Sequence, residues 1–357
     1  MITTAPGKII GIMGGGQLGR MLAQAAAELG YRCHIYAPAG DNPAFAVAAE
    51  ATVADYSDGE ALAAFAAKVD VVTYEFENIP VEAVELLAAI RPVFPDARAL
   101  GVTQDRMAEK DFITAAGGRT APYAAVDTVR DAEAAMAKFG LPLVLKTRRF
   151  GYDGKGQVIV REAAALGDAV AKLGTTGLIA EGFVSFEREL SVVLARGQDG
   201  AIAAYPLVEN RHVDHILDET IAPAEASPEL LQKAEAVARA IIAELKYVGV
   251  LAVEMFVTGD GIIVNELAPR VHNSGHWTMD ACAVGQFEQH IRAICGLPLG
   301  DPRPHSRAVM KNLLGDDIGR WAEFLGEPGL CFHNYGKAEP RPGRKMGHVT
   351  RLTPFGI

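Results

Sequence analysis

The sequence of 357 residues predicts an α/β domain built on a small parallel sheet, followed by a longer α+β region. Three observations lead to this fold class. Apolar strand patterns alternate with helical ones through the first hundred residues, and a glycine cluster follows the first strand. From residue 123 onward, short strands surround only a few helices. A chain of this length and pattern is expected to form two or three domains.

The N-terminal elements follow from hydrophobic spacing. Apolar runs predict strands at 8–13, 32–37 and 69–76, and a short strand at 92–95. Helical spacing predicts helices at 18–29 and 81–90, and Gly30 stands where a helix-ending glycine is expected. Strands and helices in this order indicate a doubly wound, Rossmann-like parallel sheet.

The elements after residue 100 are mostly short strands. A helical unit is predicted at 101–116, and strands at 143–146, 157–160, 178–184, 189–196 and 202–209. Helices are predicted at 129–139 and 228–245, and a strand hairpin at 250–266. The tail from residue 298 is rich in proline and glycine and ends in a basic cluster.

Composition excludes several classes of function. The net charge is −10 and no basic tract stands out, which argues against nucleic acid or an anionic membrane as the main partner. The chain has no apolar run of membrane-spanning length and no signal-peptide pattern at its start. Its cysteines show no CxxC spacing, which is typical of reduced thiols; they are Cys33, Cys282, Cys295 and Cys331. A soluble cytoplasmic protein is expected.

The segment 263–276 concentrates polar groups at the end of an apolar strand, and Glu266 lies twelve residues after Glu254 in the preceding strand. If the turn between the strands has three residues, these two carboxylates lie opposite each other on one face. With a two-residue turn Glu254 would instead face Asn265. Paired carboxylates are typical of a magnesium site. The alternative is one half-exposed and one salt-bridged glutamate.

The turn at 14–19 matches G-x-G-x-x-G between a strand and a helix. A nicotinamide enzyme would also have an acidic residue at the end of the second strand, but that strand ends in Ile-Tyr-Ala-Pro. The free N–H groups of the turn can still bind the phosphate or ribose of a mononucleotide-like substrate. Glycines that only permit tight helix–strand packing are an equal alternative.

A second glycine-rich loop follows the strand that ends at Lys146. Three glycines at 151, 154 and 156 provide N–H groups that can cover phosphates, although the Walker pattern is absent. A hairpin with surface lysines is the alternative. Further along, Glu181 to Val184 and Glu189 could contact adenine and ribose.

Together these motifs resemble the ATP-grasp superfamily. Within it, the chain is similar to the 5-(carboxyamino)imidazole ribonucleotide synthase family of purine biosynthesis. The segments that carry the resemblance are GGGQLGRM (14–21), YEFENI (74–79), KTRRFGYDGKGQ (146–157), EGFV (181–184), NELAPRVHNSGHWT (265–278) and GRKMGH (343–348). Gly15 stands where the family often has alanine. The resemblance implies an ATP-grasp fold with an N-terminal Rossmann-like domain at 1–100, an ATP-grasp domain at 101–297 with a lid at about 122–185, and a small C-terminal domain at 298–357.

The resemblance also implies a set of site residues. ATP phosphates would be bound by Arg106, Lys146, Gly151, Tyr152, Asp153, Gly154, Lys155, Gly156 and Gln157. The rest of the nucleotide would contact Glu181, Gly182, Phe183, Val184, Glu189 and His212. Glu254 and Glu266 would bind Mg²⁺ beside Asn265. Bicarbonate and then carboxyphosphate would be held by Arg270, His272 and Asn273. The ribonucleotide would contact Gly16, Gln17, Leu18, Glu77, Tyr152 and Asp153, and its phosphate would be bound by Lys337, Arg344 and Lys345.

The implied reaction is the ATP- and bicarbonate-dependent N-carboxylation of 5-aminoimidazole ribonucleotide. Asp153 is the candidate that orients the amine or accepts its proton, and His276 is an alternative. A homodimer is expected from the family. The rival hypotheses are a formate-dependent glycinamide ribonucleotide transformylase, a nicotinamide-dependent oxidoreductase and a non-catalytic ATP-binding module. The basic tail could instead be only a solubilising C-terminus.

Overall fold

The computed structural model describes residues 2–151, 156–174 and 176–356. Its N-terminal part is a four-stranded parallel sheet in the order β3-β2-β1-β4, with helices between the strands. The elements are β1 (Ile9–Met13), α1 (Gln17–Glu28), β2 (Arg32–Ala37), β3 (Glu50–Val53), α2 (Gly59–Ala67), β4 (Val71–Tyr74) and α3 (Val81–Ala88). The predicted Rossmann-like sheet is confirmed.

Most N-terminal predictions agree with the structure to within a few residues. Helix α1 buries Met21 and Leu22 against the sheet, and Gly30 follows it with φ +82°. The predicted strand at 92–95 is wrong, because only Val93 forms a single bridge, to Val72. Strand β3 and helix α2 were not predicted, since an exposed short strand and an alanine-rich helix have little hydrophobic contrast.

Two helices then lead into a small four-stranded antiparallel sheet, in the order β5-β8-β6-β7. The helical unit predicted at 101–116 is divided by Asp105, which caps the second helix. The elements are α4 (Ala97–Gln104), α5 (Arg106–Ala115), β5 (Tyr123–Val126), α6 (Val129–Phe139), β6 (Leu143–Thr147), β7 (Gln157–Val160), α7 (Leu166–Leu173) and β8 (Leu178–Gly182).

The third sheet is the largest and extends to the end of the chain. Its strand order is β14-β13-β9-β11-β12-β15-β17-β16, and β10 pairs with β9. The strands are β9 (Arg188–Arg196), β10 (Ile202–Ala204), β11 (Val208–Val213), β12 (Ile216–Ala222), β13 (Gly249–Thr258), β14 (Gly261–Ala268), β15 (Ser306–Leu314), β16 (Leu330–Asn334) and β17 (Lys345–Pro354). The helices are α8 (Pro228–Glu244), α9 (Thr278–Ala281), α10 (Gln286–Ile294) and α11 (Trp321–Gly326).

The large sheet differs from the prediction in three places, and the first is β12, which was not predicted. The strand predicted at 202–209 is divided into β10 and the start of β11, with Pro206 between them, because proline cannot donate to a strand ladder. The proline- and glycine-rich tail contains three strands, and β15 pairs with β12, so the tail continues the same sheet.

The N-terminal sheet and the large sheet share one hydrophobic core, which α1 and α10 fill. His290 of α10 joins the two sheets. Its Nδ1 accepts a hydrogen bond from the Val250 N–H of β13 at 3.0 Å, so the proton lies on Nε2, which donates to Thr73 Oγ1 of β4 at 2.8 Å. The ring is fully buried, and burial lowers the pKa of His290 to about 3.

No helix in the described residues is long and apolar enough to cross a membrane. All four cysteines are free thiols.

The buried neutral state of His290 predicts a pH dependence of stability. The unfolded chain takes up a proton near pH 6.5 and the folded protein only near 3, so stability is lost as the pH falls between these values. We expect His290→Asn to reduce the slope of the unfolding free energy against pH by up to one proton, about 1.4 kcal/mol per pH unit. Urea unfolding across this pH range measures it.

Thr73→Val is the matched control. It removes the hydrogen bond from Nε2 but leaves the imidazole buried, so it should lower stability without changing the slope. An unchanged slope in His290→Asn would contradict the prediction.

Candidate active site

The centre of the site is the hairpin of β13 and β14. Its turn has two residues, because Thr258 pairs with Gly261. Between Met255 and Glu254 the register then shifts by one residue, because Asn265 is an extra residue, a β-bulge, on β14, so that Glu254 pairs with Glu266 instead of Asn265. The two-residue turn therefore does not separate the carboxylates, since the bulge places them opposite each other.

Basic side chains from other parts of the chain face these carboxylates. Arg106, at the start of α5, is 3.1 Å from Glu266 Oε2, and His272 Nε2 is 2.9 Å from Glu254 Oε1. Burial alone would raise the pKa of Glu254, but the hydrogen bond and charge of His272 outweigh burial and lower it. The carboxylate thus stays ionised, as a metal ligand requires.

The nucleotide side of the site contains a buried ion triad. Lys146 at the end of β6 lies 2.9 Å from Glu181 Oε2, and Lys110 of α5 lies 3.2 Å from Glu181 Oε1. Burial raises the pKa of Glu181, but the two ammonium groups outweigh it and lower the pKa to about 2. Glu181 therefore stays negatively charged and holds the Lys146 ammonium group near the end of β6.

The other predicted nucleotide residues lie along the junction of the small and large sheets. His212 Nδ1 is 3.0 Å from Glu189 Oε2 across β11 and β9. Gly182 ends β8, and Phe183 after it is exposed. Gly156, with φ +72°, precedes Gln157, the first residue of β7. Tyr152, Asp153, Gly154 and Lys155 lie outside the described residues, and Gly151 precedes them.

The glycine turn at 14–19 already binds an anion from the protein itself. The carboxylate of Glu75 accepts hydrogen bonds from the N–H groups of Gly16 and Gly19, the latter at 2.7 Å. Burial raises the pKa of Glu75, and the two N–H donors oppose the rise. These N–H groups are therefore occupied, and Gln17 and Leu18 beside them begin α1.

Arg270 and Glu77 form a partly buried ion pair between the hairpin and the N-terminal sheet. The guanidinium donates to both carboxylate oxygens, with Nη2 to Oε1 at 3.1 Å. Burial lowers the pKa of Arg270, but Glu77 outweighs it and raises the pKa above its ordinary value. Arg270 remains a cation beside Glu254 and Glu266.

Two predicted residues of the loop after β14 have buried side chains with protein partners. Asn273 and Asn312 exchange amide hydrogen bonds at 3.0 and 2.7 Å. His276 is fully buried, with its Nδ1 2.9 Å from Gln286 Nε2, and burial lowers its pKa well below the ordinary value. Both side chains hold the loop in place.

The basic residues of the tail lie near the N-terminal glycine turn. Lys337 donates from Nζ to the Lys345 carbonyl at 2.6 Å, and Arg344 is 2.6 Å from Asp41 Oδ2. Burial, followed by the charges of Arg344 and Lys345, lowers the pKa of Lys337 to about 8. Lys337, Arg344 and Lys345 are held close together, as an anion-binding site requires. These three residues are called the basic seat.

Sequence reasoning missed three buried residues that support the site. Asp105 caps α5 and pairs with Arg148 at 2.9 Å, and Lys110 holds Glu181. Glu109 Oε1 accepts from the Leu267 N–H at 2.7 Å, on the open edge of β14. Burial and the nearby Glu266 raise its pKa to about 8. The available signal was the placement of Asp105, Arg106, Glu109 and Lys110 on adjacent turns of one helix.

The comparisons with known proteins agree with this geometry. Three sequence families match in order: a ribonucleotide synthetase preATP-grasp domain at residues 7–104, an ATP-grasp domain at 111–287 and a phosphoribosylaminoimidazole carboxylase C-terminal domain at 308–354. An N5-carboxyaminoimidazole ribonucleotide synthase from Brucella melitensis is 50% identical over 355 residues, which cover 99% of this chain and 98% of the relative. The chain belongs to the N5-carboxyaminoimidazole ribonucleotide synthase family.

Solved structures extend the likeness to the whole fold of this synthase family. A crystal structure of an N5-carboxyaminoimidazole ribonucleotide synthetase with ADP has a TM-score of 0.95 and 46% identity, and the match covers 99% of this chain and 94% of that one. An Aspergillus clavatus enzyme, in complex with ADP and 5-aminoimidazole ribonucleotide, has a TM-score of 0.91 and 31% identity, with coverages of 97% and 94%. The ATP-grasp fold is confirmed.

The hairpin of β13 and β14 fits Mg²⁺. It offers two carboxylates on one face, and oxygen donors of this kind are the ligands that Mg²⁺ prefers. Arg106 and His272 contact these carboxylates, and the lowered pKa of Glu254 keeps it ionised, as metal binding requires.

The contact of Glu109 predicts an effect on metal use. Glu109→Met keeps the side-chain volume but leaves the Leu267 N–H without its acceptor, so Glu266 loses support from the next residue. We expect the Mg²⁺ concentration for half-maximal rate to rise by roughly 10- to 100-fold, as for other groups that orient metal ligands. Initial rates against Mg²⁺ at saturating ATP measure the change.

Glu109→Gln is the matched control, because its amide oxygen can still accept the hydrogen bond. It should keep a Mg²⁺ requirement close to that of the unmodified protein. If Glu109→Met also keeps it, Glu109 does not position Glu266.

Proposed function

We propose that this protein carboxylates 5-aminoimidazole ribonucleotide to N5-carboxyaminoimidazole ribonucleotide, with ATP and bicarbonate as co-substrates, in purine biosynthesis. The observation that carries the proposal is the Glu254–Glu266 pair between a nucleotide cleft and a basic seat, in a chain 50% identical to such a synthase. Lys146 and Glu181 lie on the nucleotide side, and Lys337 on the other.

The chemistry requires activation of bicarbonate, which is a poor electrophile at neutral pH. Transfer of the terminal phosphoryl group of ATP to a bicarbonate oxygen gives carboxyphosphate, which then breaks to carbon dioxide and phosphate. The exocyclic amine of the ribonucleotide attacks the carbon and releases a proton. Phosphoryl transfer depends mainly on positioning and charge neutralisation.

The residues divide these tasks. Arg106 and Lys146 face the ATP phosphates, and Arg270 holds bicarbonate through its charge while Glu77 fixes its orientation. Glu254 and Glu266 would hold Mg²⁺, which would supply further charge neutralisation on the phosphates. For the amine proton we retain Asp153 as the candidate, because His276 has its Nδ1 bonded to Gln286 and is buried in a neutral state.

The ribonucleotide phosphate is proposed to bind Lys337, Arg344 and Lys345. Glu75 occupies the N–H groups of Gly16 and Gly19, so the glycine turn offers the substrate a surface instead of a phosphate cradle. The turn and the basic tail lie side by side, since Ala338 N–H donates to Asp41 in the N-terminal part at 3.1 Å.

Three further proposals concern the whole protein. Domains at 1–100, 101–297 and 298–357 are supported by the matched families. A cytoplasmic location is supported by the free thiols. A homodimer is supported by the exposed Trp321 and Leu325, one turn apart on α11, and light scattering tests it.

ADP release tests the function directly. With ATP and Mg²⁺ present, release should require both 5-aminoimidazole ribonucleotide and bicarbonate. Glu266→Gln should lower this rate by about 100-fold or more, because several kcal/mol of charge stabilisation depend on the ion. Glu225→Gln, at a highly exposed glutamate, is the matched control and should retain the rate. Release driven by another amine, or without bicarbonate, would contradict the proposal.

The lowered pKa of Lys337 predicts a pH dependence of substrate binding. Above a pH of about 8 the ammonium loses its proton and its attraction for phosphate, so KM for the ribonucleotide should rise with pH. Lys337→Arg keeps the charge at these pH values and should flatten the rise. The test is the steady-state KM of the unmodified protein and of Lys337→Arg from pH 7 to about 9. Equal pH profiles would show that Lys337 does not bind the phosphate.

A further inference from the structure

A second cluster of metal-binding side chains lies outside the ATP site, between α9 and the last two strands of the large sheet. Asp280 belongs to α9, His333 to β16 and His348 to β17. His333 and His348 are directly paired across the antiparallel strands, so their side chains project from the same face. One donor atom from each of the three residues lies within 4.8 Å of the others.

The contacts of the cluster leave one buried nitrogen free. His333 Nε2 lies 2.9 and 3.0 Å from the two carboxylate oxygens of Asp280, and His348 Nδ1 lies 2.9 Å from Tyr335 Oη. His348 is fully buried, and its Nε2 has no hydrogen-bond partner among the described residues. A buried polar atom without a hydrogen-bond partner is destabilising, so this nitrogen is a candidate metal ligand.

We propose that Asp280, His333 and His348 bind a divalent transition-metal ion such as Zn²⁺. Two imidazoles and one carboxylate are a common ligand set for Zn²⁺, whereas Mg²⁺ prefers oxygen donors alone. The two metal sites of the protein therefore select different ions.

The neighbouring Tyr335 and the solvent access of the cluster also support this assignment. Tyr335 Oη can accept the Nδ1 proton of His348, which directs the Nε2 lone pair to the metal, and such orienting partners are typical of ligating histidines. Asp280 and His333 are partly exposed, with side chains 10% and 25% accessible, so an ion can enter and water can complete its coordination.

Binding requires a small inward movement of the side chains. Ligands of tetrahedral Zn²⁺ at about 2.0–2.1 Å from the ion are roughly 3.4 Å apart, closer than the 4.8 Å limit of the cluster. The His333 and His348 rings are stacked, with centroids 4.4 Å apart, so His333 must turn out of the stack to share an ion. Its Nε2 proton, held by Asp280, moves to Nδ1 or to solvent as the metal takes its place.

An ion at this position would link α9, in the chain segment that follows the catalytic loop, to the C-terminal strands. His272 and His276 lie in the loop that precedes α9, and Lys345 begins β17. The metal would therefore be structural, because it would link the loop of His272 and His276 to the strand that begins at Lys345. This role does not depend on the proposed reaction.

The test uses the full chain after treatment with a chelator. Mg²⁺ and ADP at saturating concentration fill the ATP site, and Zn²⁺ binding is then measured by calorimetry, with Co²⁺ absorption as a probe of coordination. We expect one equivalent of Zn²⁺, a higher unfolding temperature and a Co²⁺ spectrum of four-coordinate type. His333→Ala and Asp280→Asn should each weaken Zn²⁺ binding by roughly 10-fold or more.

His305→Ala is the matched control, since His305 is exposed and outside the cluster. It should bind Zn²⁺ like the unmodified protein. All three variants change residues outside the catalytic site and should retain ADP release with Mg²⁺, which shows that they fold. The proposal is overturned if no Zn²⁺ binds with Mg²⁺ and ADP present, or if His333→Ala and Asp280→Asn bind it as tightly as the control.

Discussion

The register between β13 and β14 is the constraint on which the rest of the site depends. β13 is paired on both sides, by β14 and β9, so Glu254 cannot shift without breaking two ladders. The bulge adjusts β14 by one residue and places Glu266 opposite. Two adjacent carboxylates repel each other unless cations neutralise them. Arg106 and Arg270 supply that charge, and His272 Nε2 contacts Glu254, so a helix and the loop after β14 must converge on this one face.

Many of the charged groups around the proposed ATP site form ion pairs or hydrogen bonds with other groups of the protein. Glu181 holds Lys146 and Lys110, Glu77 holds Arg270, and Glu75 holds the glycine turn. A buried ion pair adds little net stability, but the loss of one partner leaves an uncompensated charge that costs about 3–5 kcal/mol. These carboxylates therefore restrict the side chains of the cations to one position. The protein's own ion pairs thus orient the charged groups, which is the condition for electrostatic stabilisation of a phosphoryl-transfer transition state.

The matched family segments are physically continuous in this protein. Strands β15, β16 and β17 extend the large sheet through β12, and α10 packs in the core shared with the N-terminal sheet. His290 connects β4 and β13 through two hydrogen bonds with a defined tautomer. This continuity explains how a basic seat from the end of the chain and a glycine turn from its start can form one surface. The Asp280, His333 and His348 cluster lies within the same continuous region.

Periodicity in the sequence by itself determined the fold class, the long helices and most strands, and polar residues at strand ends marked candidates for the site. The chemistry of the site was implied by the family resemblance. Lys146, Glu181, Glu254 and Glu266 were all recognisable in this way. Only the tertiary structure decided which groups meet. Glu75 accepts a hydrogen bond from the glycine turn at a sequence separation of 59 residues, and Glu109 accepts one from β14 at a separation of 158 residues. The bulge places Glu254 opposite Glu266 although the turn has two residues. Hydrophobic spacing reports neighbours along the chain, whereas pairing, burial and charge compensation depend on segments brought together only by folding.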